Sequence, residues 1–424
     1  MMAGPSIPKP WKCVAALCVA LAGCQPAAPP PARASVAPSP RATAPPTPVA
    51  SAPAPAGEGA DFGDDARLLY RVVACGGTTP LPAGLDASVV AQHCAHIKPL
   101  LQRYQDRVAG KALPFMAKLV PERAPATVVY PFGGGDLLSA LTTYRNTQEI
   151  TTISLELAGD PRRISHLHTR QLAESLDLVR RTITGLLSQS DSTSESLKRG
   201  QRGDIPGQLA FFLVGLAAHG QEPVALRFFR LLPDGRIHYL TREEIAAEEG
   251  KAGTRRHAAW VSPDFSRAFE NSELTFRAVG GGPLRVHRHI GANLADDRLP
   301  NDGPLLLHLR SKGRVAALTK ASSYCLWNPH FSHIRDYLLA NMDLMISDST
   351  GIPPALCARA GFVQDTYGRF RRSFLPASAE YSEQFRKLWA AQPLRPLPFR
   401  YGYPDARGAY HLLVTRRSGK AQPS

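Results

Sequence analysis

Between residues 96 and 157 the spacing of apolar side chains changes twice. From His96 to Val120 they recur every three or four positions, as at Ile97, Leu100, Leu101, Tyr104 and Val108, which predicts a helix. PERAPA then turns the chain. TVVYPF, from Thr127, has the β-branched content of a short strand, DLLSALTTYRN suits a helix, and EITTISLEL, from Glu149, suits a second strand. That order requires a crossover, so the two strands are expected to run parallel. A second unit of the same kind is predicted near the C-terminus. GRVAALTKASSYCLW reads as a strand entering a small-residue turn, and PHFSHIRDYLLANM spaces Phe331, Ile334, Tyr337, Leu338 and Met342 as a helix does. DLMISDSTGIPP closes the unit as a strand and turn.

Two hairpins are expected between the units. One is VALRFFRLLPDGRIHYLT, turning at Pro233-Asp234-Gly235, and the other is LTFRAVGGGPLRVHRHI, turning around Gly280 to Gly282. GQLAFFLVGLAAHG, from Gly207 to Gly220, is apolar almost all round, which predicts a buried central helix too short to span a bilayer. The pattern therefore predicts an α/β fold. Its core is a Rossmann-like parallel or mixed sheet flanked by helices, with inserted β-hairpins, in one large domain over residues 61–415. Loop breaks are expected at 188–207 and 248–264, and residues 416–424 form a tail. No short-period repeat of the solenoid kind is present.

The first sixty residues follow a different pattern. Lys9 and Lys12 flank an uninterrupted small or apolar run, Cys13 to Gly23, that is too short for a membrane span and has the layout of a secretory signal over residues 1–23. The quartet Leu21-Ala22-Gly23-Cys24 resembles the lipobox of bacterial lipoproteins. That resemblance implies cleavage before Cys24, a lipid on Cys24 and a partner in the bilayer; Gln25 after the cysteine resembles an outer-membrane address. Residues 25–60 hold eleven prolines in 36 positions and almost no large apolar side chain, so they cannot bury enough surface to order themselves. With Cys24 they form a stiff tether, reaching roughly 110 Å if fully extended at about 3.1 Å per residue.

Export changes how the cysteines read. Cys75, Cys94, Cys325 and Cys357 invite disulfides, most simply Cys75–Cys94 and Cys325–Cys357, although three pairings are open. Their spacings suit no zinc knuckle, and no metal is expected. The formal charge of +15 becomes +13 once Lys9 and Lys12 leave with the leader, which favours anionic lipid or envelope polymer as partners. Basic clusters at 179–182, 253–257 and 368–372 are expected to be ordinary arginine-rich surface, and specific nucleic-acid binding is not expected. Oligomeric state is left open.

The candidate chemistry lies at the predicted strand ends. Gly133, Gly134, Gly135 and Asp136 follow the first strand, and Glu156 lies 23 residues beyond Gly133, close to the ribose-binding carboxylate of dinucleotide or methyl-donor folds. Against a coenzyme, Leu138 stands where the third glycine of G-x-G-x-x-G belongs. Asp136 is placed to cap the helix, where it would repel a pyrophosphate, and coenzyme pools lie inside the cell. No cofactor is expected, and the glycine turn is read as structural or as holding another ligand.

Asp136, Glu156, Lys320 and Asp348 are the candidate catalytic residues if they gather at one edge. Lys320 with Ser322 and Ser323 has the composition of a Ser-Lys pair, but such neighbours are common at strand ends. Asp348-Ser349-Thr350-Gly351 has one residue too many for an aspartic-protease turn, and no G-x-S-x-G elbow occurs. His287 with His289, and His166 with His168, alternate as on strands; without a third ligand they are expected to be surface histidines.

VVYPFGGGDLLSA, GQLAFFLVGLAAHG, LTKASSYCLW with FSHIRDYLL, SDSTGIP and PLRPLPFRYGY, taken as a series, are similar to a set of uncharacterised exported bacterial proteins over roughly residues 95–415. The resemblance implies export and this fold and carries no reaction. The leading expectation is thus a membrane-anchored extracytoplasmic lipoprotein that binds an envelope ligand or partner through a degenerate Rossmann-like domain. An envelope hydrolase or transferase, a degenerate nucleotide- or S-adenosylmethionine-binding domain, and a purely structural anchor are the alternatives.

Overall fold

The computed structural model describes residues 59–188, 205, 207–251, 266–373 and 379–418. The leader, Cys24 and the tether lie outside the described residues, as do most of the two loop breaks and the basic cluster at 253–257.

Helix α1 (Gly63–Leu69) continues as a π-helical turn, Tyr70–Ala74. Helix α2 (Ala87–Tyr104) starts where Asp86 accepts the amides of Ser88 and Val89, and another π-helical turn joins it to α3 (Gly110–Leu119). The ten strands are β1 (Thr127–Pro131), β2 (Glu149–Ser154), β3 (Gln221–Leu231), β4 (Ile237–Tyr239), β5 (Asn271–Ala278), β6 (Arg285–Gly291), β7 (Val315–Thr319), β8 (Met342–Ser347), β9 (Phe362–Gly368) and β10 (His411–Arg417). They form one mixed sheet in the order β4-β3-β5-β6-β2-β1-β7-β8-β10-β9. The expected tail begins two residues inside β10, which runs on to Arg417.

The middle five strands, β6-β2-β1-β7-β8, are parallel. Strands β5, β3 and β4 continue one flank as antiparallel neighbours, and β10 and β9 continue the other. Both predicted crossovers and both predicted hairpins are present. Helix α4 (Leu137–Thr143) links β1 to β2, and α9 (Ser332–Asn341) links β7 to β8. The chain moves outward from β1 through β2 to β6 and then returns to the other side of β1, so the order reverses between β1 and β7. That reversal is where open α/β sheets leave a crevice for ligand.

The pleat sends alternate side chains to two cores. Val128, Tyr130, Ile150, Leu344 and Ile346 pack with α4 and with α6 (Gly207–Ala218), whose apolar surface is buried nearly all round as its composition requires. Val129, Ile153, Ala317 and Met345 pack on the opposite face with α8 (Pro304–Ser311) and α9. The remaining helices, α5 (Thr169–Ser188), α7 (Arg242–Glu249), α10 (Pro354–Arg359) and α11 (Ala379–Ala390), are more polar.

Cys75 and Cys94 form a disulfide that closes a 19-residue separation between the first two helices. Chain-entropy arguments put its contribution at about 3 kcal/mol. The expected Cys325–Cys357 bridge does not form. Cys357 sits on α10 with its Sγ 3.8 Å from the Ile352 carbonyl, and burial pushes its thiol up to about 12. Spacing alone leaves three pairings open, and of the two simplest bridges Cys75–Cys94 is the one that forms.

Two expectations about histidines also need correction. His287 and His289 do share a face of β6, but they are fully buried rather than exposed. Thr152 of the neighbouring β2 stands between them, 2.9 Å from His287 Nε2 and 3.0 Å from His289 Nδ1. His166 and His168 lie on no strand: Asp160 and Pro161 start a short 3-10 turn that ends at His166, and α5 follows.

The sheet also buries a charge network absent from the sequence reading. Glu149 and Lys312 are in direct contact, Arg288 Nη1 lies 2.7 Å from Glu149 Oε2, and Arg288 Nε lies 2.7 Å from Glu273 Oε2. The Tyr239 hydroxyl donates to Glu273 at 2.6 Å. Burial opposes ionisation of Glu149, but Lys312 and Arg288 outweigh it and hold the carboxyl down to about 2. Two carboxylates and two cations balance, which is the condition for holding charge in an interior.

Candidate functional site

Everything at the β1/β7 edge starts from the turn PFGGGD. Phe132 adopts φ 60°, in the left-handed region where a bulky residue is strained. Gly133 follows because nothing larger fits: a Cβ there would come within 2.7 Å of the Tyr130 ring. The ring belongs to the same strand end, so the first glycine makes room for the chain's own side chain where a dinucleotide-binding turn makes room for pyrophosphate. Gly133, Gly134 and Gly135 are all buried.

Asp136 has no exposed surface. Its Oδ1 accepts the Ser139 amide at 3.1 Å, capping α4 as expected from sequence. Its Oδ2 accepts the Tyr130 hydroxyl at 3.0 Å and lies 2.8 Å from Lys320 Nζ. Lys320, just beyond β7, also donates to Ser139 Oγ at 2.5 Å. Burial, then the Asp136 charge, raises the Tyr130 hydroxyl well above its ordinary range, so it is a donor at neutral pH. The positive end of the α4 dipole therefore already meets a carboxylate, and that carboxylate already has its cation.

Asp348 continues the same buried edge from β8. Its Oδ1 accepts the Thr350 amide at 2.8 Å, and its Oδ2 accepts the Tyr403 amide at 3.0 Å. The contact brings in the C-terminal segment RYGY. Gly402 takes φ 58°, and a Cβ there would come within 2.1 Å of Asp348 Oδ2. Tyr401, also buried, is held protonated by burial and then by the nearby charges of Asp348 and Asp136.

Of the four candidate catalytic residues, Asp136 and Lys320 touch directly, and Asp348 lies near enough for its charge to act on Tyr130 and Tyr401. Glu156 follows the end of β2 and is only partly buried; its carbonyl accepts His289 Nε2 at 2.8 Å. The Lys320 ammonium pairs with Ser139, far off in sequence. Ser323 Oγ instead receives the Lys320 backbone amide at 3.0 Å. Sequence reasoning missed Tyr130, Ser139, Tyr401 and Tyr403. For the three tyrosines the signal was aromatic, one before PFGGGD and two flanking the glycine of RYGY, and for Ser139 there was none.

Among the described residues no group of three or more His, Cys, Asp or Glu side chains could hold a metal ion, and no helix is long and apolar enough to cross a membrane. In the basic cluster at 368–372, Phe370 is buried against Phe385 and Trp389, so it offers no face for a base to stack on. Comparison with protein-family models, with curated proteins and with solved structures finds no match.

Proposed function

We propose that the chain is a lipid-anchored envelope protein, held through Cys24 and most simply at the outer membrane, whose α/β domain binds an anionic envelope ligand or partner without coenzyme chemistry. The observation that carries the second half is the buried Asp136–Lys320 pair. A phosphate at the start of α4 would have to displace the carboxylate and leave Lys320 and Tyr130 without their partner, a loss of several kcal/mol before any contact is made. The net positive charge supports an anionic partner, and the LAGC quartet supports the anchor.

The test has two arms. Cys24→Ser should abolish incorporation of a fatty-acid probe and release the protein from membranes; unchanged partitioning contradicts the anchor. Full-length protein should co-sediment with anionic lipopolysaccharide-containing vesicles more than with zwitterionic ones, and the difference should shrink with added salt. Equal sedimentation at low salt contradicts the anionic partner.

A second reading, a nucleoside-bearing coenzyme such as S-adenosylmethionine, is favoured by one observation. The parallel strands follow the doubly wound order, with Glu156 at the end of the strand beside the glycine turn. That reading requires the Asp136 cluster to open.

A further inference from the structure

The turn after β8 carries a pair that nothing above uses. Ser349 Oγ lies 2.7 Å from His411 Nε2. His411 opens β10, which pairs antiparallel with β8, so the two residues face each other across the sheet edge. The second ring nitrogen, Nδ1, faces the Ala409 carbonyl at 3.4 Å. A carbonyl only accepts, so Nδ1 carries the proton, Nε2 is bare, and the Ser349 hydroxyl donates to it. That is the tautomer a general base requires.

The surroundings hold this geometry. The Ala409 carbonyl also accepts the Asp405 amide at 2.8 Å, and the Asp405 carboxylate accepts the Arg407 and Ala409 amides, each at 2.9 Å. A closed loop thus fixes the group that orients the imidazole. On the other side of the turn, Asp348 holds the Thr350 amide. Phe370 and Trp389 pack edge-on against the imidazole, with centroids at 4.9 and 5.5 Å. Burial lowers the proton affinity of His411, against the opposing pull of Asp348, the Ala409 carbonyl and Asp405, so the ring is neutral and able to accept a proton. Trp327, whose Nε1 donates to the Gly351 carbonyl at 2.7 Å, brings further aromatic surface beside the turn.

We propose that Ser349 is a nucleophile and His411 its general base in the hydrolysis of carboxylic esters. Ser349 Oγ bonds to the ester carbonyl carbon while its proton passes to His411 Nε2. Collapse breaks the bond to the alkoxy oxygen, and the alcohol leaves with that proton. Water then attacks the acyl-serine as His411 takes a proton from it, and that proton returns to Ser349 Oγ as the carboxylic acid departs. Ester and water give alcohol and acid, with no other reactant. The proposal goes beyond the binding reading and stands or falls apart from it, since neither the anchor nor the Asp136 cluster takes part.

The test uses full-length protein in detergent, a fluorophosphonate probe and p-nitrophenyl esters from acetate to octanoate. The expected result is covalent modification mapped to Ser349 and turnover of at least one of the esters. Both should be lost in Ser349→Ala, and labelling should slow by at least about a hundredfold in His411→Gln. If His411→Gln does not fold by near-ultraviolet circular dichroism, wild type against Ser349→Ala decides. Folded wild type that neither labels nor turns over ester, or labelling that persists in Ser349→Ala, overturns the proposal.

Discussion

Two strand-to-helix corners reach the same edge of the sheet, one from β1 into α4 and one from β8 into α10. Each places an aspartate at the turn, and each aspartate accepts an amide two or three residues on, Asp136 from Ser139 and Asp348 from Thr350. They differ in what is left over. At the first corner the aspartate's other oxygen also turns inward, onto Lys320 and Tyr130. At the second, the next residue is a serine aligned on an imidazole. The lesson is that a carboxylate at a strand end is used first to build the corner, and chemistry has to be sought in the neighbour.

Breaking the first corner should have the largest effect. Asp136→Ala leaves Lys320 buried without its carboxylate and should cost about 3–5 kcal/mol in chemical denaturation. Adding Lys320→Met should recover part of that loss, because the pair is coupled; a double variant no better than the single one would mean the two groups do not act together. Arg288→Met, which takes the guanidinium from Glu273 and leaves Glu149 with Lys312 alone, should be as severe and serves as the comparison away from any ligand edge.

Acid should act next, through buried groups other than the two corner aspartates. Glu149 has an ordinary value of 4.5 and is held at about 2 in the folded chain. Its contribution is complete above pH 4.5 and is lost as pH falls toward 2, on the order of 3 kcal/mol in total. His219 and His289, lowered from 6.5 to about 4 by burial, act in the same direction. The unfolded chain takes up protons that the folded one refuses, so stability declines from pH 6.5 downward. A denaturation midpoint that stays flat between pH 7 and pH 4 would contradict this accounting.

Gly133→Ala should cost about 1–3 kcal/mol through overpacking on the Tyr130 ring. Tyr130→Ala in the same chain should make that substitution nearly neutral. Ser349→Ala should be the mildest, within about 1 kcal/mol, the typical net worth of one hydrogen bond. A much larger loss would mark the Ser349–His411 contact as chiefly structural.

Much of the architecture was legible because it is local. The period changes around Thr127 and Glu149, the Pro-Asp-Gly turn and the apolar run from Gly207 each reflect neighbours in sequence, and the sheet follows from them through the handedness of crossovers. The candidate edge was legible only as a place. Asp136 was identifiable as a cap because its partner is three residues away, whereas Lys320 meets Ser139 across 181 positions and His411 meets Ser349 across 62. Such contacts depend on which strands become neighbours, and no spacing announces them. The glycine run is ambiguous in sequence for a related reason, since a close approach by Tyr130 demands the same residue as a close approach by phosphate.

The central claim, that the glycine turn is closed by its own side chains, is tested most directly by equilibrium dialysis of the purified full-length protein against radiolabelled S-adenosylmethionine and NAD. The account predicts no saturable uptake of either by the wild-type chain. Stoichiometric, competable uptake that leaves the fold intact would contradict it.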